Sequence, residues 1–399
     1  MADDARAKSG RSREIEQVRA ELEGTRNLDR YANLPMAPTK DDVDRQIAYG
    51  LEAATSVDDR TISTFVRGIR PSFAGINTFL KTPYIEDVHD VGTHDVAIVG
   101  VPFDSATAYR SGARFGPQAV RKISAIYDGV SLDFGCDLRE QLDIVDVGDV
   151  FVIPSNVEKT FDQIDRAVSF LHQSEVFPVI IGGDHSIGYP NVRGLAPQID
   201  GRIGIVHLDR HIDMAEKDMD ERMHSTPWFH ATMLPNVRAA NLVQCGIGGW
   251  WGNGPGLRVA KDRDTTVITM GDIDRLGVEK AVEVALELAW QDCETVYLSL
   301  DIDCVDVGSA PGVGCPEPGG FLPREMLQFV RGVAKEGLCG MELVEVCPPY
   351  DVNDNTAQLG VVAVMDVLAT LLGEGKLGQP RKAAARERIT VARVDAPKS

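Results

Sequence analysis

The sequence predicts a three-layer α/β/α domain on a central, mostly parallel sheet. Near-continuous branched-chain runs recur along the chain, which marks strands buried on both faces. Longer helical periodicities lie between them, and this alternation places helices on both sides of a parallel sheet. No shift in composition interrupts the series from about residue 95 to 375, so one domain carries all of it.

The strands are read in order. DVAIVGVPF (Asp95 to Phe103) comes first, and VFPVIIGGDH (Val176 to His185) repeats its plan. GRIGIVHLD (Gly201 to Asp209), NLVQCGIG (Asn241 to Gly248), TTVITM (Thr265 to Met270) and TVYLSLDID (Thr295 to Asp303) follow, and GMELVEV (Gly340 to Val346) completes the set. The clearest helices are GPQAVRKISAIY, FDQIDRAVSFLHQ, VEKAVEVALELAW, PREMLQFVRGVAKEG and LGVVAVMDVLATLLGEG. Residues 1–90 read as a charged, partly helical N-terminal extension. Ile15, Val18 and Leu22 recur there at helical spacing, and Gly24 is the stop. Residues 91–377 are the α/β domain and 378–399 a polar tail.

The 399 residues hold 60 acidic and 41 basic side chains, a net charge of -19, with 43% apolar residues. That apolar share excludes wholesale disorder. The acidic balance excludes broad contact with nucleic acid and suits a cationic substrate. The seven cysteines are odd in number and form no CxxC pair, which reads as free thiols in a reducing compartment. No apolar run reaches the roughly 20 residues of a membrane span, and the N-terminus lacks a signal peptide's apolar core. The expectation is a cytoplasmic protein without membrane contact.

In an open parallel sheet, ligands sit beyond the carboxyl ends of the strands. The unusual polar residues fall there: His185 after one run, Asp209, His211 and Asp213 after a second, Asp301 and Asp303 after a third. Asp209, His211 and Asp213 alternate with Leu208, Arg210 and Ile212, so in extended chain they face one way. Four converging carboxylates repel strongly in a low dielectric unless cations join them. A pair of divalent ions about 3.5–4 Å apart resolves that conflict. The six residues are therefore the expected metal ligands.

As a set the motifs resemble the ureohydrolases: arginase, agmatinase, guanidinobutyrase and guanidinase. The matching blocks are GGDHS (Gly182 to Ser186), HLDRHID (His207 to Asp213), SLDID (Ser299 to Asp303) and VEVCPPYD (Val344 to Asp351). YRSGARFGP (Tyr109 to Pro117) and APGVGCPEPGG (Ala310 to Gly320) fit as well. The resemblance implies an arginase-like fold and two divalent metal ions, manganese or nickel. It places His185 and Asp213 at one ion, His211 and Asp303 at the other, and Asp209 and Asp301 between them. It implies hydrolysis of a guanidino carbon–nitrogen bond. Asp213 would orient the attacking hydroxide and take its proton, His224 would shuttle a proton to the leaving nitrogen, and Glu345 would grip the guanidinium. Glu342 would support the site from behind. Homo-trimers or hexamers are expected, or a mixed oligomer with a related subunit.

The substrate is the finer question. Relatives usually carry a small residue where this chain has Arg210. The N-terminal extension, DRHID, the WFHAT loop, GGWWG and PEPGGFLPRE look most like the nickel-dependent guanidinase branch, to which metformin hydrolases are close. Trp228, Phe229, Trp250 and Trp251 are expected near the entrance, with Val313 and Cys315 making the pocket less polar. Guanidine, giving urea and ammonia, is the favoured substrate. Metformin is the alternative, giving guanylurea and dimethylamine; agmatine and guanidinobutyrate also stay open.

Overall fold

The computed structural model describes Glu16, Ala20 and residues 72–378. Glu16 and Ala20 are helical and exposed. Ile15, Val18, Leu22 and Gly24, and the tail from residue 379, lie outside the described residues.

The strands are β1 (Val96–Gly100), β2 (Val130–Ser131), β3 (Cys136–Asp137), β4 (Ile144–Asp149), β5 (Phe177–Ile181), β6 (Ile203–Leu208), β7 (Leu242–Ile247), β8 (Thr266–Thr269), β9 (Thr295–Asp301) and β10 (Gly340–Val344). Eight of them form one sheet in the order β4-β1-β5-β10-β9-β6-β7-β8. Every neighbouring pair is parallel. β2 and β3 pair as a small antiparallel hairpin. All residues of β1, β5, β6, β7 and β10 are buried, as their largely apolar runs require.

Two helical layers cover the sheet. Gly116–Ser124, Val278–Ala289, Pro323–Ala334 and Asn355–Gly373 pack on one face. Val157–Gln173 and Gly188–Leu195 pack on the other. Val157–Gln173 shows why: Phe161, Ile164, Val168 and Leu171 fall on one stripe and are buried. Burying each such side chain contributes about 1.5–3 kcal/mol. The Asn156 side chain caps the helix by accepting the Lys159 N–H, a contribution of about 1 kcal/mol. Asn355–Gly373 is long and apolar enough to cross a membrane, but 67% of its apolar window is buried inside the domain. It is a core helix, and its Gly360 lies against Leu343 of β10.

β4 is not among the expected strands. Its sequence, IVDVGD, interrupts the apolar run with Asp146 and Asp149. Arg121 resolves the conflict: its Nε and Nη2 donate to the two Asp146 oxygens at 2.8 and 2.9 Å, and its Nη1 donates to Asp149 at 2.6 Å. Asp146 also receives the Phe79 N–H at 2.9 Å. Phe79 and Leu80 are fully buried in the main core, so the packed domain begins upstream of the expected 90/91 boundary.

Candidate metal centre

The four central strands β5, β10, β9 and β6 end side by side, and the chemistry lies just beyond them. After β5 the chain turns through Gly183. A Cβ there would lie 1.7 Å from the Phe103 carbonyl oxygen, so only glycine lets the β1 loop pass this closely. The Asp184 side chain accepts the N–H groups of Ser186 and Ala106, each at 3.0 Å. That fixes the 3-10 turn His185–Ile187. Burial and the Glu345 charge push the Asp184 carboxyl up to about 6.

Six side chains converge as the alternation predicts, but by a different route. β6 stops at Leu208, so Asp209, His211 and Asp213 lie in the loop beyond it. His211 N donates to Asp209 Oδ1 at 2.6 Å, and Asp213 takes a left-handed backbone with φ 39°. β9 ends on Asp301, whose Oδ1 accepts the Asp303 N–H at 2.8 Å and caps the turn bearing Asp303.

Two ligand groups result. In the first, His185 Nδ1 lies 3.0 Å from Asp209 Oδ2, 3.1 Å from Asp213 Oδ2 and 3.0 Å from Asp301 Oδ2. In the second, His211 Nδ1 lies 3.4 Å from Asp209 Oδ1 and 3.0 Å from Asp303 Oδ2. Asp209 is common to both groups and turns one oxygen to each. Asp301 stands in the first group only, since its other oxygen holds Asp303 N.

The electrostatics fit divalent cations. Burial pushes the Asp301 carboxyl well above the usual range, and the neighbouring Asp303 and Asp209 charges add to it. Burial likewise raises Asp303 to about 7, with His211 opposing. Burial also works against the Asp209 charge, but His207, His185 and His211 outweigh it and hold that carboxyl well below the ordinary range. His185 Nδ1 is buried without a properly directed hydrogen bond. A neutral imidazole lone pair and three carboxylates around one space are the donor set of a mixed oxygen and nitrogen metal site.

A surrounding layer orients the ligands. His185 Nε2 lies 2.9 Å from Ser299 Oγ. Behind it, Glu342 receives Asn191 Nδ2 at 2.6 Å and the Tyr297 hydroxyl at 3.0 Å, with its other oxygen 3.7 Å from His185 Nε2. His207 Nε2 sits 2.7 Å from Asp209 Oδ2. His207 has no role among the sequence expectations, although it extends the alternation of Asp209, His211 and Asp213 one step back into β6. Such outer contacts orient metal ligands in known sites.

Glu345 follows β10 with φ 62°. Its Oε1 accepts the His185 N–H at 3.0 Å and lies 3.0 Å from His224 Nδ1. Its Oε2 is buried and has no partner. Asp213, His224 and Glu345 all line a cavity of about 440 Å³ that reaches His211, Asp301 and Asp303.

The pocket wall departs from expectation. Trp251 and Cys315 line the cavity; Trp228, Phe229, Trp250 and Val313 do not. Trp228 is fully buried, with its ring 5.5 Å from His185 and 4.9 Å from His207. Phe229 lies under the Arg263 guanidinium at 4.0 Å. Trp250 is 99% exposed. Val313 belongs to the core. These rings therefore do not narrow the entrance. Tyr109, unassigned from the sequence, lines the cavity beside Trp251 at a centroid distance of 5.0 Å. Lys217 and Asp218 also line it.

A parallel sheet with aspartates and histidines converging at its carboxyl edge defines an α/β protein with a candidate two-ion metal centre. The arginase family profile matches residues 94–370, and the chain belongs to the arginase family. It is 35% identical over 316 residues to proclavaminate amidinohydrolase of Streptomyces clavuligerus, covering 79% of this chain and 96% of that protein. It is 30% identical over 304 residues to guanidinobutyrase of Pseudomonas aeruginosa, covering 76% and 94%. The solved structure of the Streptomyces clavuligerus amidinohydrolase superposes with a TM-score of 0.71 at 33% identity, covering 76% of this chain and 99% of that one. The structure of a hypothetical agmatinase from Burkholderia thailandensis gives 0.67 at 30% identity, covering 75% and 92%.

Proposed function

We propose that this chain hydrolyses a small planar guanidino compound, with guanidine as the favoured substrate and nickel as the favoured metal. Glu345 carries the guanidino reading. Its buried Oε2 lacks a partner, and an unpaired buried carboxylate oxygen is costly unless a donor reaches it. A guanidinium N–H is such a donor. His185, Asp209, Asp213 and Asp301 would hold one ion, and His211, Asp303 and Asp209 the other. When bound, two divalent ions supply the acidity that makes water a nucleophile near neutral pH. Asp213 accepts the proton of the attacking water, and His224 delivers one to the leaving nitrogen. The nickel preference and the compact substrate rest on the guanidinase resemblance; the Tyr109 and Trp251 rings add an aromatic wall that suits a planar cation.

A second reading has its own observation. Lys217 lines the cavity and forms no ion pair among the described residues, so it offers an anchor to a guanidino acid's carboxylate. The relatives named as guanidinobutyrase and guanidinopropionase fit that chemistry. The deciding experiment is a panel on nickel- and manganese-loaded protein: guanidine, methylguanidine, metformin, agmatine, guanidinobutyrate and arginine. Highest kcat/KM on guanidine supports the first reading, and highest on guanidinobutyrate replaces it with the second.

A further inference from the structure

Arg210 sits between two ligand residues, Asp209 and His211, and is only 6% exposed. Its guanidinium forms no ion pair among the described residues. Its hydrogen bonds go to main-chain carbonyls instead: Nη2 donates to Pro318 O at 3.0 Å and Nη1 to Gly246 O at 3.4 Å, while Nε has no partner. A buried charge answered only by carbonyls is costly, which asks what the residue does.

Its contacts join three segments. The Arg210 N–H donates to Asp303 Oδ1 at 3.3 Å, which ties it to the β9 turn. Its carbonyl receives the Gly248 N–H at 3.0 Å, which ties it to the loop after β7. The guanidinium then spans from Gly246, near the end of β7, to Pro318. The same loop runs on through Trp251 and Asn253, which line the cavity, and Asn253 Nδ2 donates to Gly248 O at 2.7 Å. Glu317, next to Pro318, accepts the Trp250 N–H at 2.8 Å.

The glycines around the guanidinium record the same fit. A Cβ on Gly248 would lie 2.3 Å from Arg210 Nη1 and 3.0 Å from its Cζ. A Cβ on Gly319 would lie 3.3 Å from Nη2. Gly248 therefore leaves its side-chain space to the Arg210 head group.

We propose that Arg210 is a positioning residue that locks the Gly246–Asn253 wall of the cavity against the metal-ligand loop, with Gly248 leaving the matching space. Through that wall it places Trp251 and so sets substrate fit without touching substrate. The substrate-fit part rests on the guanidine reading above; the Arg210–Gly248 match does not.

The test is a double-mutant cycle in the full-length, metal-loaded protein: Arg210→Ala, Gly248→Ala and both together, with Arg210→Lys as the conservative variant. The readouts are thermal midpoint, metal content, and KM and kcat for guanidine. The head group is pinned at both ends, so Gly248→Ala should expel it and reproduce the Arg210→Ala phenotype. KM should rise about fivefold or more in each single variant, with kcat and metal content near wild type, and the double variant should be no worse than the poorer single. Arg210→Lys should not restore KM, because one ammonium cannot reach both carbonyls. In thermal midpoint, Gly248→Ala should lower the value when made in the wild-type protein and leave it unchanged when added to Arg210→Ala. Additive losses of midpoint, or an unchanged KM in Arg210→Ala, would overturn the proposal. If guanidine is not turned over, the midpoint cycle alone decides the lock, and only the substrate reading falls.

Discussion

His224 Nδ1 lies 3.0 Å from Glu345 Oε1, while its Nε2 receives the Ala108 N–H at 3.1 Å. The Ala108 bond needs a lone pair on Nε2, so this arrangement holds the neutral imidazole with its proton on Nδ1. Burial opposes the cation, but Glu345, with Asp213 and Asp184, pulls the imidazole pKa up to about 9. These two influences oppose each other. The hydrogen-bond geometry decides the state seen here, because an imidazolium would set two donors face to face. Taking up a proton therefore requires Ala108 to retreat. His224→Ala should lower kcat by about 10²-fold or more, the usual scale of general-acid loss, with metal content unchanged. A kcat within a few-fold of wild type at full metal loading would remove His224 from the proton path.

Metal content should separate the two groups. Asp209 serves both, and Asp303 only the second. Wild-type protein should approach two ions per chain by elemental analysis. Asp303→Asn should lose about one ion while Asp209→Asn loses both, with turnover falling by about 10²-fold or more in each, at or beyond the upper end of outer-layer losses. Equal metal content in the two variants would show that Asp209 does not join the sites.

Chelation should expose the repulsion that the ions relieve. Asp303, at about 7, and Asp184, at about 6, are raised above the ordinary carboxylate value. The folded metal-free protein then binds protons that the unfolded chain releases near pH 4. Stability from these groups is fully present below that pH and is lost as pH rises through about 6 and 7. His224, raised to about 9, acts in the same direction up to that pH. His207, whose pKa burial lowers, opposes them as a single group. The thermal midpoint of chelated protein should therefore fall as pH rises from about 5.5 to about 8, inside the wider range from about 4 to about 9 that these shifts span. Metal-loaded protein should show a smaller fall, because Asp303 must be deprotonated to bind while Asp184 and His224 are not ligands. A midpoint that climbs over this window in the chelated protein would contradict the assignment.

The fold was legible where burial is two-sided, because a strand covered on both faces can carry little but apolar residues. β1, β5, β6, β7, β8, β9 and β10 all fall within predicted runs. β4 escaped because Asp146 is tolerated through Arg121, a partner 25 residues away that no local pattern shows. The ligands were legible as residue types at strand ends; His207 was not read, although it continues the same alternation. The ligands' convergence was legible too, but not its route, which runs through the loop beyond β6 and a left-handed backbone at Asp213. The wall was the least legible part. Trp228 and Val313 are large or apolar residues near motifs, and sequence alone does not say that both turn into the core.

The final prediction concerns the substrate, where two cavity features compete. Tyr109 and Trp251 pack against each other, with centroids 5.0 Å apart and planes tilted by 57°, and give the cavity an aromatic wall that suits a compact planar cation. Lys217 lines the same cavity and suits an anionic tail. If a compact cation is the substrate, a rim lysine contributes nothing favourable, so Lys217→Ala should leave KM for guanidine unchanged or slightly lower. Trp251→Ala should raise that KM by about fivefold, since a desolvated cation–ring contact is worth roughly 1–2 kcal/mol. Agmatine and arginine should trail guanidine in kcat/KM by about 10²-fold, or roughly 2.7 kcal/mol. The reverse pattern is equally distinct. If Lys217→Ala raises KM for guanidinobutyrate severalfold while Trp251→Ala leaves guanidine untouched, the cavity reads a carboxylate tail. The compact-cation reading would then be lost, while the guanidinium grip of Glu345 and the metal centre would stand.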